Sequence, residues 1–208
     1  MQFSEPRPGD PWPHDMVIRI SDDGALSKLL FVREALGLPG GGVPPVSPVP
    51  HTGASARPPV FDVPAEAERW RSGWDAAWER LDRTPRTVPP TPEMQHLLDT
   101  THDELLWEAV SGAVGVDRWD DSLDIAALQH WQGSLHGREG YRSLEETPER
   151  RSLDALVAAW RTGLTSVTTL PLSGFFARRV GITTLVVSYE TREDPALYRR
   201  ALATPLER

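Results

Sequence analysis

Residues 180–190 read VGITTLVVSYE, and within them Thr183-Thr184-Leu185-Val186-Val187 is a run of β-branched and apolar side chains without alternation. A run that short reads as a strand buried on both faces, central in its sheet. The stretch TSVTTLPL (165–172) has the same Thr- and Val-rich character. A central strand needs neighbours, and the one further strand candidate lies at the other end of the chain, Met16 to Ile20. The fold class that follows is α+β: a small β-sheet formed by N- and C-terminal strands, packed against a helical middle segment of about four helices. One strand and one helix cannot bury enough apolar surface to stand alone, so Met16–Ile20 is expected to join strands drawn from 164–190.

The elements between those ends follow from period and punctuation. ALSKLLFVREAL (25–36) has helical apolar spacing and a natural stop at Gly37. GLPGGGVPPVSPVPHTGASARPP (37–59) is too rich in Gly, Pro and Ser for regular structure, and 37–63 is expected to be a loop or linker. Helices are expected over 65–82, over 92–111 behind Thr91 as N-cap, over 122–136 and over 148–162 behind Thr147. A last short helix is expected from Pro195 to Leu202, and the proline-rich first 15 residues read as an irregular arm. The whole, 1–208, is expected to form a single domain.

The second expected helix carries RWRSGWDAAWERL (69–81), with Trp70, Trp74 and Trp78 four residues apart. At helical spacing these share an arc of roughly 100° with Ala67, Ala77 and Leu81, which is the width of a core-facing stripe. Trp74, in the middle of the arc, is expected to be buried. Trp70 and Trp78 lie nearer its edges and are kept as candidate partner-binding residues, because indoles are also common at interfaces.

Composition narrows the function. Basic residues number 22 against 30 acidic, for a net charge of −8, which opposes phosphate-backbone binding and makes nucleic acid an unexpected partner. There is no cysteine, so thiolate metal sites, thiol nucleophiles and disulfides are excluded by counting. No run approaches the roughly 20 apolar residues of a membrane span, and the opening MQFSEPRPGDPWPHD has no signal-like apolar stretch. The expected location is the cytoplasm. Lys28 is the sole lysine beside 21 arginines, and asparagine is missing, a skew of the bacterial high-GC type.

Catalytic patterns are sparse. His96, Asp99, His102, Asp103 and Glu104, with His130 and His136 on the next helix, form the richest polar cluster. No histidine pair has i, i+4 spacing and HExxH does not occur, so no metal or other cofactor is expected. The glycines of 37–42 follow a helix and precede no Lys-Ser or Lys-Thr, which rules out a phosphate loop of the Walker type. Ser173 in LPLSGFF lacks a GxSxG frame, leaving catalytic residues unassigned.

One basic cluster stands out. Residues 161–208 carry 7 basic and 4 acidic groups, and Arg178, Arg179 and Arg192, with Arg199 and Arg200, could grip an acidic partner. The function read from these features is a non-enzymatic cytoplasmic protein-binding protein: an adaptor, accessory subunit or immunity-like inhibitor. The alternative is a hydrolase with a site near His102 and His130.

Overall fold

The structure is a computed structural model and describes residues 12–83, 115–136 and 143–206. The chain is α+β and divides into two compact units. A sheet unit comprises Met1–Asp23, Pro44–Pro48 and Gly133–Arg208; a helical unit comprises Gly24–Val43 and Val49–Gln132. The expected helix over 92–111 lies outside the described residues, as does most of the N-terminal arm.

In the sheet unit, β1 (Arg19–Asp22), β2 (Ser166–Leu170), β3 (Ala177–Val180) and β4 (Thr184–Ser188) form one sheet in the order β1-β2-β4-β3. The N-terminal strand does join the C-terminal ones. β1 pairs parallel with β2, with Ile20 opposite Val167, and β2 pairs parallel with β4. β4 is interior, as its unbroken apolar run requires, and all five of its residues are buried.

Two strands differ from expectation. β1 starts at Arg19 rather than Met16 and runs on through Ser21-Asp22, residue types that favour turns. Pairing outweighs local preference there: Thr169 Oγ1 donates to the Asp22 carboxylate, giving this turn-forming residue a partner on the sheet. Met16 instead plugs the core as a buried residue ahead of the strand. The other difference is β3, which lies antiparallel to β4 with Arg179 opposite Leu185. Its sequence, ARRV, lacks a strand signature because it is an edge, where charged side chains are ordinary.

The helices of this unit follow their caps. The expected helix over 148–162 is broken at Ser152 (φ −123°, ψ 23°) into α4 (Pro148–Arg151) and α5 (Leu153–Arg161). Serine competes poorly inside a helix and caps well, so the chain restarts there. Beyond β4 come α6 (Tyr189–Glu193), begun by Ser188 Oγ accepting from Thr191 N, and α7 (Pro195–Leu202). Asp194 caps α7 by accepting from Ala196 N and Leu197 N at 2.8 and 3.0 Å. Leu156 and Ala159 of α5 and Tyr198, Ala201 and Leu202 of α7 pack with Val167, Leu185 and Val187 of the sheet. Residues 44–48 also belong here: Val46 bridges Leu172, and Ser47 N donates to Pro171 O at 2.9 Å.

In the helical unit, α1 (Gly24–Leu36) is buried on nearly all sides, and α2 (Val63–Arg83) carries the tryptophan stripe. All three indoles are buried. Trp70, expected at an edge, is the deepest at 1% exposed, because its Nε1–H reaches the Leu29 carbonyl of α1 at 2.7 Å. It stacks on Trp74 at 5.4 Å, and Trp74 meets Trp78 edge-on at 5.9 Å. Lys28 is buried as well, its Nζ at 3.1 and 2.7 Å from Asp117 and Asp120 of the 3-10 helix Val116–Ser122.

The helix expected over 122–136 begins later than 122, and α3 spans Ile125–His136. Asp124 sets the start. Its Oδ1 accepts from Ala127 N at 3.0 Å, and its Oδ2 accepts from Ala54 N at 2.9 Å. Gly53 is required beside it, since φ is +60° and a Cβ would collide with the Asp124 carboxylate. The amide of Ala54, then that of Ala127, holds the Asp124 carboxyl below the usual carboxylate range. A depressed folded-state value stabilises above the unfolded carboxylate range and is lost as pH falls through the folded value. Amide exchange at Ala54, taken relative to its intrinsic rate, is therefore expected to accelerate in acid in the wild type. In Asp124→Asn it should already be fast at neutral pH and respond little to acid beyond the intrinsic rate; identical pH profiles for the two proteins would refute the role given to the carboxylate.

Candidate functional site

The arginines singled out in the sequence are placed differently from one another. Arg192 is 6% exposed and grips Glu149 of α4 with two bonds, Nε to Oε1 at 2.8 Å and Nη2 to Oε2 at 3.1 Å. Tyr198 Oη adds a third donor at 3.4 Å, and burial, then the Glu149 charge, pushes the Tyr198 phenol above its ordinary value. Arg192 is thus committed to an internal ion pair, and Trp70 and Trp78 to packing. None of these three side chains stands on the surface.

Arg178 and Arg179 part company because neighbours on a strand point to opposite faces. Arg178 is exposed. Arg179 is 8% exposed and donates from Nη2 to the Ile182 carbonyl in the β3–β4 turn. Its guanidinium is at one wall of a half-open groove of about 680 Å³, floored by Ala155, Ala158 and Ala159 of α5 and flanked by Leu202 of α7. Burial alone lowers the Arg179 pKa.

A second surface feature lies in the loop before β3. Phe175 keeps 37% of its area exposed, and the guanidinium of Arg200 on α7 sits over its ring at 4.2 Å from the centroid. This is a cation–π pair on the outside of the sheet unit.

His96, Asp99, His102, Asp103 and Glu104 lie outside the described residues, as does the side chain of His136; His130 is exposed on α3. Ser173 donates its amide to the Pro45 carbonyl at 2.8 Å, beside the bridge between Val46 and Leu172. No helix among the described residues is long and apolar enough to cross a membrane.

The sequence reading named the arginines but missed the groove and the Arg200–Phe175 pair. Its one available signal was Ala155, Ala158 and Ala159 at i, i+3 and i+4, a helix face with too little side chain to fill space. Compared with protein-family models, with curated proteins and with solved structures, the chain finds no match in any of the three.

Proposed function

We propose that this chain is a non-enzymatic protein-binding protein of bacterial, cytoplasmic type, acting as an adaptor, accessory subunit or inhibitor through the exposed basic and aromatic face of its sheet unit. The observation that carries this reading is the exposed Phe175–Arg200 pair. Aromatic and arginine side chains are the types most enriched at interface hot spots, and an arginine already ordered on a ring loses less freedom on binding. The excess of basic residues over 161–208 favours an acidic patch on the partner.

The test is affinity capture from the source organism's lysate, with the wild type and the Phe175→Ala/Arg200→Ala variant run in parallel. Both positions are on the surface, so the variant should keep the wild-type circular dichroism spectrum. The expected result is a protein enriched by the wild type and depleted at least about tenfold by the variant, since a hot-spot side chain is worth roughly 1–2 kcal/mol or more. Identical captured sets, or none, would refute the assignment.

A further inference from the structure

Arg179 raises a separate question, because its positive charge is buried where no carboxylate of the described residues forms an ion pair with it. The Arg179 guanidinium stays charged at neutral pH, and since none of its nitrogens is both buried and without a hydrogen-bond partner, those not bonded to protein open to water. One bond to the Ile182 carbonyl leaves most of its five N–H groups without a protein acceptor. The groove beside it opens to solvent and is lined mostly by apolar side chains, with Thr162, Thr204 and Arg199 as its other polar members.

We propose that this groove binds a small amphipathic carboxylate, its head on the Arg179 guanidinium and its apolar body along the alanine floor of α5. The planar fork of arginine matches a carboxylate bidentately. The space, about 680 Å³, falls within the roughly 300–1,000 Å³ of small-molecule sites, which share this make-up of apolar walls and few polar groups. Ile182 and Leu206 line the same groove while 61% and 46% exposed, so an apolar body lying there would cover surface now in water. A single negative charge suits the site better than a doubly charged phosphate. Only one guanidinium is buried; Arg199, also lining the groove, is exposed and has an Nη2 donor committed to the Arg151 carbonyl at 2.5 Å.

The site shares no residue with the Phe175–Arg200 pair, so it can fail or hold independently of the proposed protein partner. Isothermal titration of the full chain with sodium octanoate, 1-octanol and inorganic phosphate tests it. The expected result is one octanoate per chain, with octanol and phosphate each at least tenfold weaker. Arg179→Met should weaken octanoate at least tenfold, and Ala158→Phe, which fills the floor without touching the charge, should do the same. Absence of octanoate binding would overturn the proposal. So would equal binding of octanol, which would mark a merely greasy cleft, or equal binding of phosphate, which would mark a plain anion site. Wild-type affinity in folded Arg179→Met would also overturn it; if that variant does not fold, wild-type affinity in Ala158→Phe decides against the site.

Discussion

Replacing Trp70 by alanine is expected to destabilise the helical unit by about 3 to 5 kcal/mol, the range for a fully buried aromatic side chain cut to a methyl group. Three losses combine. The void left is the size of an indole, the stacked face of Trp74 loses its partner at 5.4 Å, and the Leu29 carbonyl loses the N–H donor at 2.7 Å. Trp70→Phe separates them: it keeps most of the ring and removes the hydrogen bond, and is expected to fall well short of the alanine variant. Trp74→Ala, at 6% exposed and between the other two rings, should lie in the same range as Trp70→Ala. Urea unfolding followed by tryptophan fluorescence gives the comparison. An unchanged midpoint for Trp70→Ala would mean that the stripe does not hold this unit together.

The second large effect is expected in the sheet unit. Glu149→Ala removes the carboxylate that accepts both bonds of the buried Arg192 and the Tyr198 hydroxyl, leaving a guanidinium and a phenol without that acceptor. Breaking one side of a buried ion pair destabilises by about 3–5 kcal/mol, because the remaining charge stays desolvated. The diagnostic comparison is the double variant Glu149→Leu/Arg192→Met. It removes both charges, keeps apolar volume, and should be markedly more stable than Glu149→Ala. Chemical denaturation of the three proteins checks this. A double variant as unstable as Glu149→Ala would show that the loss comes from packing and not from an uncompensated charge.

Both sites show how far the sequence carries and where it stops. β2 and β4 are legible because consecutive Thr, Val and Leu have one ready explanation in a buried strand, and α2 because its indoles recur at a spacing of four. β1 is displaced by three residues at its start, since register is set by hydrogen bonds to β2, whose partner residues lie 147 positions away in the sequence. β3 leaves no trace because an edge strand of two arginines looks like a solvated loop.

The depth of Trp70 compared with Trp74 depends on where the Leu29 carbonyl falls on the neighbouring helix, which a wheel diagram cannot show. The groove is less legible still. Arg179, Ala158 and Leu202 come from a strand and two helices, and their convergence is a property of the packed unit alone. Similarly, the pairing of Arg192 with a glutamate 43 residues earlier separates it from Arg178, although both read as members of one basic cluster.

The central claim, that this chain works by binding through the Phe175–Arg200 face, is tested most directly by the affinity of the captured partner. Its binding isotherm should be measured with the wild type and with Phe175→Ala/Arg200→Ala at the same ionic strength, since a basic face meeting an acidic patch is sensitive to salt. The account predicts a dissociation constant weakened at least about thirtyfold in the variant, equivalent to roughly 2 kcal/mol. Equal constants for the two proteins would contradict it.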